Sequence, residues 1–459
     1  MSEVAALPQA SAATLVHSIA ARFGIFGLNA VTGIITARLL SPEGRGELAA
    51  MALWPVLIAG ITTVGVPSAL IYHGRRHPER LRELTASALA LAAVAGGVGT
   101  VVAWPLIPIW LGQHPAWVVS AAQFCLLGTV VNSLVLTGRA AWEARGDFRR
   151  SNRAQLAAPL LTIAALVVLA AAGRLTPATA AFAYVAIGIP VLAWILYALA
   201  RQGRTEPVPA SPRPAAPPDA PAWGQLLHYG SRSYGVDLFG VLALYLDQAL
   251  VVGLLVPEAM GIYAVGLSLA RIINAVHGSV ATMMFPKVVG LAPAVLTRSI
   301  ARAARLGALT SAALGLGIIA TGPVLVHVLY GSAYEAAGTL LPVLVLQVIL
   351  AGVTQVLMQG LLAADRPGAA TLTQFLGLAL SVPLFLVLVP SLGARGAALS
   401  LLASTAIRLA LTMACYPLCL RAPLPQVWID RADIAELTAR LSSLVRATPS
   451  ARLRAGEAE

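Results

Sequence analysis

Pro42-Glu43-Gly44-Arg45-Gly46, followed by Ala49, is answered late in the chain by Pro257-Glu258-Ala259-Met260-Gly261, followed by Ala264. The correspondence extends outward in both directions. His17, Arg22 and Gly24 are matched by His228, Arg232 and Gly235, and Pro67, Gly112 and Gln155 by Pro286, Gly331 and Gln374. The offset grows from 211 (His17 to His228) to 215 (Pro42 to Pro257) to 219 (Pro67 to Pro286). Each helix junction thus gains about four residues, one helical turn. Single pairs are weak, but the order is kept and the drift has one direction. A long internal repeat in an apolar chain marks transporters, whose substrate site lies between the repeats near the membrane midplane.

Composition agrees. The chain is 58% hydrophobic and 11% charged, with a mean hydropathy of +0.81, whereas soluble domains are about 25% charged. Apolar stretches of about 20 residues, enough to cross the hydrocarbon core, recur at about 12–40, 47–73, 83–112, 116–139, 154–173, 177–200, 226–255, 258–285, 303–330, 336–364, 367–390 and 393–420. The sequence therefore predicts an all-α integral membrane protein with about 12 transmembrane helices in two pseudo-symmetric six-helix bundles, 1–200 and 223–420. No basic n-region precedes Arg22, and Arg22 interrupts the first apolar run, so the first span is expected to stay in the mature protein.

Charge gives the orientation. Of 31 Lys and Arg residues, 23 lie in loops after even-numbered spans, in the central linker or in the tail. Loops after odd-numbered spans hold only four: Arg38, Arg45, Arg174 and Arg395. The positive-inside rule then places both termini and the linker in the cytoplasm, and the protein in the cytoplasmic (inner) membrane. The net charge of +12 is a topology signal. The basic clusters are short, dispersed and free of interleaved aromatics, which argues against nucleic acid.

Little lies outside the spans. Residues 201–222 hold seven prolines and read as an extended cytoplasmic linker. The tail, 421–459, opens on an amphipathic helix with Ile434, Leu437, Leu441 and Leu444 on one face. It fits either the inner leaflet or an ordinary surface. A Walker loop, a His-Glu-x-x-His pair and a nucleophile elbow are all missing from the sequence. Cys415 and Cys419 sit one turn apart without His or acid at ligand spacing and read, with Cys125, as helix-packing residues. No enzyme activity, cofactor or metal is expected. Glycan polymerases and glycosyltransferases of the membrane, one alternative, are expected to carry a large outer loop rich in Arg and His, and every predicted outer loop here is short.

Several motifs carry a resemblance. Leu39 to Gly46, Asp247 with Pro257-Glu258-x-x-Gly261-Ile262-Tyr263-Ala264, Leu329-Tyr330-Gly331-x-x-Tyr334, Ala363-Ala364-Asp365-Arg366-Pro367 and Leu392-Gly393-Ala394-Arg395-Gly396-Ala397-Ala398 resemble, as an ordered set, the Wzx-like flippases. These belong to the multidrug/oligosaccharidyl-lipid/polysaccharide (MOP) exporter superfamily. The resemblance covers nearly all of 12–420. It implies a MATE-like V of two six-helix bundles around a cavity lined by spans one, two, seven and eight. The implied cargo is an oligosaccharide on undecaprenyl pyrophosphate. Lipid II flippases of the superfamily usually have fourteen spans, and twelve argues against that branch.

Four cations fall inside spans: Arg22, Arg232, Arg271 and Arg408. An arginine at a helix centre costs about 2.5–3.5 kcal/mol on insertion scales and so faces a wet cavity or a partner. Arg22 and Arg271 sit well inside spans one and eight, with Asn29 and Asn274 on the same faces. Guanidinium forks grip phosphate oxygens in pairs, as lysine does not. The candidate substrate-binding set is Arg22, Asn29, Arg232, Arg271 and Asn274. In the competing reading, Arg232 or Arg271 neutralises Asp237 or Asp247 between helices; for Arg232 the two readings stand level, and Arg408 reads as structural. Asp237 and Asp247, both on span seven, are the ion-coupling candidates for H+ or Na+, with Asp247 preferred because it also fits the family pattern. The function expected is therefore a monomeric, non-enzymatic flippase of a lipid-linked oligosaccharide among membrane lipid. The alternative within the superfamily is a cation-coupled multidrug antiporter, whose cavity should be dominated by acids.

Overall fold

Proline placement decides where the helices of this chain begin. In the computed structural model, which describes residues 12–205 and 221–428 and only the backbone at 12–23, 26, 203–205, 233, 236, 243, 244, 282, 283 and 285–287, α1 is Ala12–Thr62, α2 Val66–Arg76, α3 Leu81–Ala103, α4 Ile107–Trp110 and α5 Ala116–Cys125. There follow α6 (Gly128–Ala144), α7 (Phe148–Ala171), α8 (Pro177–Ala186), α9 (Gly188–Thr205) and α10 (Ala222–Leu254). The chain continues through α11 (Pro257–Ala270), α12 (Asn274–Val288), α13 (Pro293–Tyr330), α14 (Leu341–Ala363) and α15 (Pro367–Leu420). Proline opens α8, α11, α13 and α15, where its missing N–H is no loss and its fixed φ suits the first turn. The described residues are helical with no strand, as the apolar runs predict. Most of the Pro-rich linker (206–220) and the tail helix expected from Asp430 lie outside the described residues.

Nine helices among the described residues are long and apolar enough to cross a membrane. Two of them, α1 and α15, are each two helices joined across a kink, and of α10, expected as the seventh span, only Tyr245–Leu254 is found as a shorter apolar stretch. The kink in α1 is at Ser41 (φ 65, ψ 168), directly before Pro42, whose ring bars the preceding residue from helical geometry. The Ser41 hydroxyl accepts a long 3.5 Å hydrogen bond from the Gly44 N–H, restarting the helix. In α15 the break is at Gly393 (φ 58, ψ −135), a conformation that a side chain resists. Just beyond it, Gly396 lies against the Leu388 carbonyl, where any Cβ would collide.

The chain divides into two compact units. The first takes residues up to Ser268 with Pro323–Leu340 and Ser381–Ser400, and the second takes Leu269–Gly322, Leu341–Leu380 and the chain from Leu401. Within the first unit the repeat meets itself. Gly46 faces the Pro257 carbonyl, and Gly261 faces the Pro42 carbonyl, each so closely that a Cβ would overlap it. The two copies of the Pro-Glu-x-x-Gly turn thus lie reciprocally on each other, and glycine is the residue that lets backbones come this near in a lipid setting. A second reciprocal approach joins Gly65 (φ 68) and Gly230; a Cβ on Gly230 would stand 2.6 Å from the Val64 carbonyl oxygen.

Small residues also fill the cores. Ala69, Ala88, Ala140, Ala141 and Ala144 pack with Val66, Leu70, Leu81 and Leu84, joining α2, α3 and α6 to the start of α10 at Ala222 and Leu226. The second unit has its own core, in which Leu296, Ile300 and Ala304 of α13 meet Val356, Leu357 and Leu361 of α14 and Tyr416 of α15. The Tyr416 hydroxyl donates to the Leu357 carbonyl at 2.7 Å, so this buried polar group is satisfied.

Candidate functional site

Helix α10, the seventh span, is laced along its length to the N-terminal half. From one end to the other, Gly230 lies on the α1–α2 turn, and the Tyr234 hydroxyl donates to the Ile61 carbonyl. The Asp237 carboxylate accepts from the Ser68 hydroxyl at 2.9 Å, and Val241 fills the space beside Gly60. Further on, the Trp110 indole N–H donates to the Ala249 carbonyl at 2.8 Å, and His114 Nε2 bonds the Val252 carbonyl at 3.0 Å. These contacts fix which face of α10 is turned away from α1 and α2. At the Gly230 end, the Tyr72 and Tyr229 rings stack at 4.3 Å, with His73 edge-on to both.

The structure distributes the predicted site residues between the two units. Arg22, Asn29, Arg232, Asp237 and Asp247 belong to the first unit, and Arg271 and Asn274 to the second. Arg22 lies in α1, its side chain outside the described residues, and Asn29 is exposed two turns further on. Arg232 is exposed on α10. Among the described residues no arginine lies within ion-pair distance of Asp237, whose partner is Ser68. Asp247 is half-buried on the same helix.

Arg271 occupies a special place in its helix. The eighth span, expected as one continuous run, breaks there: α11 ends at Ala270, a 3-10 turn covers Arg271–Ile273, and α12 begins at Asn274. Such a turn in mid-helix frees backbone groups and often marks a functional point. Arg271, half-buried, therefore opens an irregular turn inside an apolar span, and Asn274, also half-buried, closes it.

Two arginines that sequence position had assigned to outer loops are drawn into the fold. Arg38 donates through Nε to the Leu329 carbonyl at 3.0 Å and through Nη2 to the Val328 carbonyl. It thereby caps the end of α13, where orphan carbonyls and the helix dipole favour a cation. The Tyr334 hydroxyl adds a 3.1 Å bond to the Ala37 carbonyl. Arg45 reaches back along α1 instead, its Nη1 donating to the Gly33 carbonyl at 2.9 Å and to the Thr36 hydroxyl. Neither role is visible from spacing along one helix, because both depend on how the kink at Ser41 turns the chain. No group of three or more His, Cys, Asp or Glu that could hold a metal occurs among the described residues.

A sequence model described as polysaccharide biosynthesis protein matches residues 35–339. No curated protein sequence matches the chain. Among solved structures, it is similar to one described as lipid II flippase MurJ in an inward closed conformation, with a TM-score of 0.66 at 11% identity over 93% of this chain and 90% of that one. It is similar also to the inward-facing conformation of a multidrug resistance MATE family transporter of the MOP superfamily, with a TM-score of 0.61 at 16% identity over 86% and 94%. A MOP superfamily transporter from Pyrococcus furiosus, described by the reverse polarity of its binding pocket, gives a TM-score of 0.53 at 16% identity over 88% and 94%. At these identities the likeness speaks for the fold alone.

Proposed function

This chain belongs to the polysaccharide biosynthesis protein family, and we propose that it is a non-enzymatic flippase for an oligosaccharide linked to undecaprenyl pyrophosphate. It moves this cargo from the inner to the outer leaflet of the cytoplasmic membrane, as a monomer, by alternating access of the halves 1–200 and 223–420. The observation that carries the reading is the sign of the charge inside the spans. Arg22, Arg232 and Arg271, with Asn29 and Asn274 beside them, outnumber Asp237 and Asp247 on spans one, seven and eight, whereas a pocket for cationic drugs calls for a majority of acids. Arg22 and Arg271 grip the pyrophosphate, whose oxygens match the guanidinium fork, while the polyprenyl tail stays in lipid.

With both termini in the cytoplasm, outward movement of the anion runs with a potential negative inside, by roughly 2.3 kcal/mol per charge per 100 mV. Asp247 carries the returning H+ or Na+ that resets the carrier; Asp237, held by the Ser68 hydroxyl, is the second candidate. The test is the sidedness of the glycan-lipid in cells lacking the protein. Intact glycan-lipid should collect on the cytoplasmic face with no polymer outside. If it reaches the outer face at the normal rate and only sensitivity to cationic drugs changes, the chain is a multidrug antiporter.

A further inference from the structure

Arg45 is a half-buried cation without a counter-charge among the described residues. Its nearest acids in sequence, Glu43 and Glu47, are two residues away on either side, a spacing that does not bring helix side chains face to face. No carboxylate among the described residues lies within ion-pair distance of it. Its Nη1 is occupied by the Gly33 carbonyl and the Thr36 hydroxyl. Its Nε is buried with no hydrogen-bond partner, and Nη2 lies over Gly33. The Nε donor thus has no protein partner. A desolvated charge with an unsatisfied donor is expensive to keep, and no carboxylate among the described residues offsets it.

What surrounds Arg45 is suited to phosphate. Tyr184 and Tyr330 lie near enough for its charge to act on their hydroxyls, while the Tyr334 hydroxyl is already donated to the Ala37 carbonyl. Tyr330 and Tyr334 are buried with ring centroids 6.2 Å apart. The anchor points extend the face of Arg22 and Asn29: Arg22, Asn29, Gly33 and Thr36 follow one another at seven, four and three residues, which keeps them on one face of α1. Arg45 prolongs this polar stripe toward the Ser41 kink. Gly33 stands eight residues before the kink, about 12 Å at 1.5 Å per residue.

We propose that Arg45 forms a second anion station, specific for phosphoryl oxygens, at the Ser41 end of the first span. It takes over the diphosphate group from the Arg22 level before release. The proposal rests on the flippase reading. The same chemistry would suit a phospholipid headgroup, and the experiment separates the two.

Purified full-length protein in nanodiscs of neutral lipid is titrated with undecaprenyl pyrophosphate and, separately, with phosphatidylglycerol. Arg45→Gln should weaken undecaprenyl pyrophosphate binding about tenfold or more, as the loss of one charge-assisted hydrogen bond implies. Arg174→Gln, an exposed arginine in another loop, should leave it unchanged. Arg45→Lys keeps the charge but not the fork and should also bind more weakly; it decides the matter if Arg45→Gln does not fold. Equal binding by wild type and Arg45→Lys overturns the station and leaves the flippase reading standing. A loss confined to phosphatidylglycerol overturns it too, in favour of a lipid-headgroup site. If the wild type binds no undecaprenyl pyrophosphate, the flippase reading falls and this inference with it.

Discussion

Gly46→Ala tests whether the repeat is a physical contact. The new methyl group would fall inside the van der Waals envelope of the Pro257 carbonyl. Both sides are backbone at a helix start, so neither can rotate away; two helices must part by more than an ångström. Overpacking of this kind costs about 1–3 kcal/mol, and with a rigid neighbour the upper end applies. Against this, exchanging glycine for alanine within a helix gains up to about 1 kcal/mol. Gly97 supplies the reference, because a Cβ there meets nothing within 4 Å. Gly97→Ala should therefore be neutral or stabilising, and because the helix term is common to both, the difference between the two variants should be the overpacking cost, about 2–3 kcal/mol, a factor of tens or more in the folded population. Thermal unfolding of the purified proteins, followed by size-exclusion chromatography after heating, reads the difference. Gly261→Ala should behave like Gly46→Ala, and the double variant should cost less than the sum, since the same two helices have already separated. If Gly46→Ala melts with Gly97→Ala, the reciprocal contact is wrong.

Arg22→Ala and Arg271→Ala should each abolish transport at normal membrane levels, with Arg→Lys rescuing poorly for want of the bidentate fork; normal transport by Arg271→Ala would make that arginine structural. Ser41→Gly should raise the melting temperature, because φ 65 with ψ 168 is a region that costs a non-glycine residue about 1–3 kcal/mol, more than its long bond to the Gly44 N–H returns; a lower melting temperature would refute this. Gly352→Ala should destabilise the second unit, since its Cβ would strike the ring of the buried His277, and His277→Ala in the same chain should restore stability; failure of that rescue sinks the assignment. Reporter fusions after Pro207 and Arg421 should read cytoplasm and those near Gln113 and Gly331 the outer side, with an outward signal at Pro207 breaking the orientation.

Where local chemistry decides geometry, the sequence was transparent. The break before Pro42 follows from proline sterics, the turn at Gly393 from a conformation that favours glycine, and the spans from apolar length. The contact between the repeats could be expected only in kind, as two glycines at matching places; their reciprocal approach needed the fold. Span eight reads as continuous in the sequence because Arg271, Ile272 and Ile273 contain no proline or glycine to announce the 3-10 turn. Asp237 was weighed against arginines on spacing, and its partner turned out to be Ser68, a hydroxyl from the other half of the repeat. Arg45 shows the limit most sharply. Counting charges by loop treated it as a topology marker, which needs only its place in the chain. A long, flexible side chain beside a kink can return to the helix it has just left, and at Gly33 and Thr36 it does so. The residues that periodicity assigns correctly are those whose environment is set within a turn of their own helix. Those it misplaces are polar side chains satisfied across helices. In an apolar chain with 11% charged residues, these few cross-helix partners are also where binding and coupling are to be sought.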